Sequence, residues 1–385
     1  MGDIVSNIEI TYGINAPKKH DHQRCVWAGD IQHGRVHSQP PDRMPPAAPQ
    51  HTRALLREGD LAVVLVGDRA GDAALITAKH DGCLATRAVG IIRSRNRYAI
   101  RWLRIWLQTP SARVWTARHV SAHVEPTLAL GVLKKMPVRL PPPWQIDAVH
   151  ELVTIIEAKL ELNRQIATTA VGLADAHHAG HTRQRASWTS CTFGTVTQAR
   201  TGKPASNSVP KDGAVSTTWI RPADVLQASL PYLEQNGRQG PADPRAVCEP
   251  GTILLASRPE GARCAVNLIP VAPHRGVVAV RPSDPADHWW LLHELRSQSK
   301  ALSEVAQGRQ ARELSALAFS RLEVRWPEPE VRHRFHRVAD PLHARSQQTL
   351  DENRALQALL DKLLHDVSLG RLPANLRERC LFLSG

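Results

Sequence analysis

The sequence predicts a mixed α/β (α+β) fold built from two similar segments in tandem, each followed by a long helix, and three observations carry that reading. A series of glycine turns and short apolar runs occurs twice in the same order. Each series closes on a proline-bounded segment that opens into a stretch of coiled-coil periodicity. At 385 residues, 42% of them hydrophobic, the chain exceeds what one core uses, so two or more domains follow. The segments are residues 1–140, a central helix over 141–186, residues 187–326, and a C-terminal helix over 327–385.

In the first copy a turn from Gly13 to Pro17 precedes the run Val26 to Ile31; in the second, Gly202, Lys203 and Pro204 precede Trp219 to Val225. Both read as glycine turns leading into a short apolar strand that closes on an aspartate, Asp30 or Asp224. Next, Glu58-Gly59-Asp60 opens the run Leu61 to Leu65, and Pro250-Gly251-Thr252 opens Ile253 to Ala256. Such unbroken apolar runs predict buried strands. A further glycine, Gly71 or Gly261, leads to strands at Val89–Arg93 and Val277–Arg281. A short helix follows over Ile100–Gln108 or His288–Ser297, with Trp102-Leu103 matching Trp290-Leu291. Leu133 to Pro141 and Phe319 to Pro327 then predict an alternating strand stopped by proline. The offset between matched residues drifts from 186 (Leu133 to Phe319) to 194 (Asp30 to Asp224), as loop insertions cause. Trp188 precedes Phe193-Gly194-Thr195-Val196, which aligns with Met1-Gly2-Asp3-Ile4. The first copy is therefore expected to begin later than its twin, through a truncated or misassigned start.

The helices come next. Val149, Val153, Ile156, Leu160, Asn163, Ala167 and Ala170 step by fours and threes, the spacing of a coiled-coil seam, with Leu152, Ile155, Ile166 and Leu173 widening the apolar face. Asn353, Leu356, Leu360, Leu363 and Val367 repeat the spacing after Phe335 and Val338, and Pro341 predicts a kink or break. Each helix carries an Asn-Arg pair, Asn163-Arg164 and Asn353-Arg354, with the asparagine on the seam, where a polar residue fixes register at a cost in stability. The matching pairs predict two antiparallel helices and an approximate two-fold within one chain. Helix pairing is assigned to Val153, Ile156, Leu160, Asn163, Asn353, Leu356, Leu360 and Leu363.

Net charge is +13 with a pI near 10.0, which favours a polyanionic partner, nucleic acid foremost; 39 Arg against 10 Lys is also what base composition of the genome can produce. The six cysteines form no C-x-x-C pair and read as reduced and structural. No stretch of about 18 apolar residues occurs, and the N-terminus lacks the regions of a signal peptide, so a soluble cytoplasmic protein is expected.

Three stretches resemble the specificity subunits of type I restriction-modification systems. They are Glu58-Gly59-Asp60-Leu61 to the glycine turn; Met136-Pro137-Val138-Arg139-Leu140-Pro141-Pro142-Pro143-Trp144-Gln145 leading to Leu162-Asn163-Arg164; and Glu352-Asn353-Arg354-Ala355-Leu356 to Leu363-Leu364 with Ser368-Leu369-Gly370-Arg371-Leu372. The resemblance spans nearly the whole chain, departing where Trp326-Pro327-Glu328-Pro329 replaces a proline triplet. It implies two target recognition domains, each reading half of a split double-stranded DNA site, separated by two long antiparallel helices that act as a ruler. Those helices would dock methyltransferase subunits, usually two, and a restriction and translocase subunit would join them.

An enzyme would need a site, and the residues offer none. Pro141-Pro142-Pro143-Trp144 has the Pro-Pro-aromatic of amino-methyltransferases without the Asn or Asp before it, and no glycine-rich methyl-donor motif accompanies it. His119-x-x-x-His123 has ligand spacing but no intervening Glu, so no metal and no cofactor is expected. Glu157-Ala158-Lys159 mimics the end of a nuclease motif without its partnering Asp. His177, His178 and His181 sit at a helix end, where imidazolium suits the dipole. The rival readings are a stand-alone DNA-binding module guiding methylation or another defence system, and a fragment of a fused restriction enzyme. A neighbouring methylase gene separates them.

If the chain reads DNA, cations on loops should face the duplex. Candidates are Lys18, Lys19, Arg24, Lys79, Arg118 and His119 in the first copy and Lys203, Arg221, Arg258, Arg309 and Arg312 in the second; singly, each is also an ordinary solvated charge. Arg93, Arg95, Arg97, Arg101 and Arg104 form a denser cluster that reads as DNA-facing or as an exposed helix edge.

Overall fold

The run Leu61–Val64 is buried at all four positions and is an inner strand of a sheet, as a run without polar alternation should be. It belongs to a computed structural model that describes residues 8–14, 25–32, 34–37, 49–121, 125–183, 185–204, 214–234, 237–258, 261–306 and 313–371. The chain divides into Met1–Leu162 with Asn353–Gly385, and Asn163–Glu352. Each unit holds one α/β segment and part of each of two helices of 40 residues.

In the first unit the strands are β1 (Ile8–Tyr12), β2 (Cys25–Val26), β3 (Ile31–Gln32), β4 (Arg35–Val36), β5 (Leu61–Val64), β6 (Ala73–Leu75), β7 (Leu84–Ala85) and β8 (Val89–Ser94). The main sheet is antiparallel in the order β1-β8-β5-β6, while β2 pairs in parallel with β7. Helices α1 (Arg97–Gln108), α2 (Pro110–His119), α3 (Leu130–Leu133) and α4 (Pro143–Thr182) follow. Asn96 caps α1 by accepting from the Tyr98 and Ala99 N–H groups, and Thr109 caps α2 ahead of Pro110, caps of about 1 kcal/mol each. One side of α1, through Ala99, Ile100 and Leu103, packs on the sheet residues Leu61, Val63 and Ile92. The other side, through Trp102 and Ile105, packs on the long helices.

The second unit contains β9 (Thr189–Thr192), α5 (Phe193–Val196), β10 (Thr197–Thr201), β11 (Val215–Ile220), α6 (Pro222–Leu226), β12 (Tyr232–Leu233), β13 (Arg238–Ala242), β14 (Ile253–Arg258), β15 (Gly261–Asn267), β16 (Val271–Pro273) and β17 (Val277–Pro282). Then come α7 (His288–Ser297), α8 (Ser299–Glu304), α9 (Ala316–Ser320), β18 (Glu323–Trp326) and α10 (Pro329–Ser368). Its sheet runs β10-β17-β14-β15-β12, so the first four strands repeat β1-β8-β5-β6 in the same order.

The repeat extends to single backbone positions. A Cβ on Gly13 would lie 2.1 Å from the Thr86 carbonyl oxygen, and one on Gly202 would lie 2.3 Å from that of His274, so both turns admit only glycine. Both glycines donate to the first residue of the long inner strand: Gly13 N to Val89 O, 3.0 Å, and Gly202 N to Val277 O, 2.8 Å. Arg93 donates to Asp60 from two nitrogens, at 2.8 and 2.6 Å, and its counterpart Arg281 donates to Thr252 Oγ1 at 2.9 Å.

Three expectations change. The strands expected to close on Asp30 and Asp224 end sooner, at Val26 and Ile220, and each is followed by a helical turn. The aspartate is why: Trp27 N donates to Asp30 Oδ2 at 2.9 Å and Arg221 N to Asp224 Oδ2 at 2.7 Å, which caps the turn. The alternating strand forms in the second copy, where β18 pairs with β9, but residues 136–140 are not a strand. There the Arg139 carbonyl accepts from Trp102 Nε1 at 2.8 Å, outside any ladder. Pro341 does not break α10, which runs from Pro329 to Ser368 through it. Arg332, Phe335, Ala339 and His343 carry the buried stripe, while Pro341 is exposed, so the carbonyl it leaves without a donor can turn to water.

Candidate functional site

In the first unit, Ile146, Val149, Val153, Ile156 and Leu160 of α4 bury against Leu360, Leu363, Leu364 and Val367 of α10, with Leu356 at the margin. In the second, Ser346 donates to the Ala167 carbonyl at 3.2 Å, and eleven residues further along α4 His178 meets Phe335, eleven residues back along α10. The helix segments in that unit are therefore antiparallel. The two asparagines do not bond each other: Asn163, fully buried, donates to Glu352 Oε2 at 2.9 Å, and Asn353, half-buried, donates to the Leu160 carbonyl at 3.2 Å. Both bonds tie one helix to the other at one register, the role a polar seam residue plays.

The arginine cluster divides: Arg95 and Arg97 are exposed, while the other three are engaged by carboxylates. Arg93 is held by Asp60, Arg101 donates to Asp147 Oδ1 at 2.7 Å, and Arg104 is buried in an ion pair with Glu157, each about 5% exposed. Asp60 and its hydrogen bond hold the Arg93 guanidinium above its usual range. These carboxylates sit on other elements, so Arg93, Arg101 and Arg104 are structural, and Arg95 and Arg97 remain as an exposed edge at the start of α1. Glu157, which resembled a nuclease residue, is the counter-charge of a core arginine.

The histidines also differ from expectation. His178 is 2% exposed, packed between Trp290 and Phe335, and burial with Arg185 nearby pushes it down to about 4. It is a neutral core residue, not an imidazolium at a helix end; burial also lowers His181. His119 lies exposed, stacked 4.1 Å from Trp115, and His123 falls outside the described residues. Among the described residues no group of three or more His, Cys, Asp or Glu is placed to hold a metal. Cys25, Cys83, Cys191, Cys248 and Cys264 are free thiols, and burial pushes Cys264 up to about 12, which leaves it unreactive. Cys380 lies outside the described residues.

Of the candidate cations, Lys18, Lys19, Arg24, Arg309 and Arg312 lie outside the described residues. Lys79 is exposed on the turn Ala78–His80, and Arg118 and His119 are exposed at the end of α2, a different element. The backbone of Arg258 pairs with Gly261 at the end of β14. Lys203 and Arg221 are brought together. Lys203 N donates to Pro273 O, His274 N to Ile220 O, and Arg275 N to Lys203 O, which seats Lys203, Arg221 and Arg275 on one sheet margin. Their side chains are 65%, 61% and 69% exposed, and among the described residues their ion-pair partners are Asp243, Asp224 and Glu313 at 3.3 to 3.9 Å. Arg275 was missed because sequence shows neighbours along the chain, not across strands. The matching margin of the first unit, where Ile14 bridges Thr86 and Thr86 N donates to Val26 O, carries exposed Trp27 and Arg87.

No protein-family model matches the chain, and no curated protein matches it. Solved structures do. The crystal structure of a type I restriction-modification system S subunit from M. genitalium superposes with a TM-score of 0.58 at 14% identity, covering 94% of this chain and 93% of that one. The HsdS subunit from Thermoanaerobacter tengcongensis matches at TM-score 0.33 and 18% identity, over 96% of this chain and 98% of that one. A chain from a study of complex assembly and conformational transition of the type I R-M system matches at TM-score 0.41 and 17% identity, over 95% and 98%. The chain thus has the fold of a type I S subunit: tandem α/β domains with a coiled-coil helix pair. Among the described residues no helix is long and apolar enough to cross a membrane.

Proposed function

We propose that this chain is the DNA sequence-specificity subunit of a type I restriction-modification complex: a non-catalytic, cytoplasmic protein that binds a bipartite double-stranded site and docks methyltransferase and restriction subunits. The observation that supports it best is the duplicated α/β segment joined through a paired set of long helices, in a chain that follows an S-subunit fold over 94% of its length. In this reading residues 1–140 and 187–326 are the recognition domains, and the helices over 141–186 and 327–385 set the distance between half-sites. Lys203, Arg221 and Arg275 in one domain, and Trp27 with Arg87 in the other, lie where the two copies match and would meet the phosphates. Duplication suits a ligand with two halves, and divergence of the copies suits halves of unequal sequence.

The host genome's methylation pattern tests this. A bipartite adenine-modified motif that disappears when this gene is deleted is the expected result. A motif that survives deletion, or a continuous palindrome in its place, would overturn the assignment.

A further inference from the structure

Inside the Asn163–Glu352 unit, four polar side chains from four elements meet end to end. His293 Nδ1 lies 2.6 Å from Asp175 Oδ1, His293 Nε2 lies 2.9 Å from His343 Nε2, and His343 Nδ1 lies 2.6 Å from the Tyr232 hydroxyl. Asp175 is on α4, His293 on α7, His343 on α10 and Tyr232 on β12, so the series fastens a sheet edge and a helix to both long helices. His293 and His343 are each 1% exposed and Tyr232 is 5% exposed.

With both rings neutral, the proton positions follow by elimination. Asp175, also held by Arg296 at 2.6 and 3.0 Å, can only accept, so His293 Nδ1 donates. His293 Nε2 then accepts from His343 Nε2–H, and His343 Nδ1 accepts from the Tyr232 O–H. One tautomer at each ring satisfies all four groups, with both rings neutral. A proton added to His293 is accommodated when His343 reverses its tautomer and the Tyr232 hydrogen turns to Ser346, so every contact is kept. Charging both rings leaves two facing donors and two like charges.

The surroundings oppose that charge. Facing the series are Asp175 and His178 from α4, Cys264 from β15, and His288, Glu294 and Arg296 from α7, while Trp289 stacks flat on His343 at 3.7 Å and donates to Asp340 of α10. Asp175 is neutralised by Arg296, and Glu294 is paired with Arg185. Burial, with His293, His288 and Arg296 nearby, pushes His343 down to about 2, and burial lowers His293 despite Asp175. A cavity of about 470 Å³ lined by Asp175, His178, His293 and Arg296 reaches the Asp175 end.

We propose that this series is a pH-operated latch: with both imidazoles neutral it fastens β12 and α7 to the long helices, and protonation of both releases them. The proposal does not rest on the assignment as a specificity subunit, since its readouts need neither DNA nor partner subunits.

Nitrogen-15 spectra of the histidine-labelled full chain at about pH 7.5 should show His293 as the Nδ1–H tautomer and His343 as the Nε2–H tautomer. A cationic ring or a reversed tautomer at either position overturns the latch. Hydrogen exchange is the second readout: between about pH 7.5 and 5.5, amides of Tyr232–Leu233 and His288–Ser297 should lose about tenfold or more of their protection beyond the intrinsic change, with Arg97–Gln108 as reference. The double variant His293→Gln with His343→Gln keeps one donor and one acceptor at each position but cannot titrate, so its loss of protection should shrink to what His178 and His288 contribute. Persistence of the full loss in that variant, or its absence in the natural protein, sinks the idea. If the double variant does not fold, the tautomers of the natural protein decide alone.

Discussion

Arg104 and Arg275 show how one residue type divides between structure and binding. Arg104 is buried against Glu157, and removing either partner would strand a charge in the core at a cost of about 3–5 kcal/mol. Arg275 stands 69% exposed beside Lys203 and Arg221, with counter-ions at distances that add little stability. Charges of the second kind are free to exchange condensed counterions for phosphate. Replacing Lys203, Arg221 and Arg275 by alanine in the assembled complex should weaken DNA binding for all sequences and lower the salt slope by up to about three, with half-site preference kept. Titration of affinity against salt checks this, and an unchanged slope would remove the margin from the interface. Sequence alone could not sort these arginines, because the carboxylates that neutralise Arg93, Arg101 and Arg104 lie 33, 46 and 53 residues away.

Among the elements, those set by local pattern were legible and those set by a distant partner were not. The apolar runs at Leu61 and Ile253 are buried strands and the α7 bounds match expectation, because burial and helical period are written into adjacent residues. The two-residue strands β2 and β7 form a ladder with each other across 59 residues of sequence, Cys25 to Leu84, and the alternation over 136–140 names a face without naming a ladder partner. His178 was misread for a related reason: the end of a helix in sequence is here the middle of a core in space. The long helices carry the element-scale prediction. One heptad inserted into α4 after Leu160 and another into α10 before Asn353 keeps the seam in phase and adds about 10 Å. The spacer of the methylated motif should then lengthen by about three base pairs with both half-sites intact. Altered half-sites with an unchanged spacer would count against a ruler.

For the molecule as a whole, buried neutral histidines set the response to acid. Burial, together with neighbouring cations, holds His150, His178 and His288 at about 4 and His343 at about 2, against about 6.5 in an unfolded chain. Folded-state values below the unfolded one mean that the unfolded chain binds more protons as the pH falls. Stability is therefore fully present above about pH 6.5 and drains below it, with His178 and His343 each contributing about 1.4 kcal/mol per pH unit. Urea unfolding at a series of pH values should show the midpoint falling between about pH 6.5 and 5, and a flat midpoint would mean these rings charge without cost.

Pro341 bears on how α10 carries load. Its ring removes one rung of the helix ladder on the side away from Phe335 and His343, so the helix holds its phase over 40 residues yet has one place of lower bending stiffness. A rod with a single soft point transmits compression along its axis and concentrates flexure there. Length, which follows from residue count, and curvature, which follows from that missing rung, are therefore separately adjustable properties of the same helix.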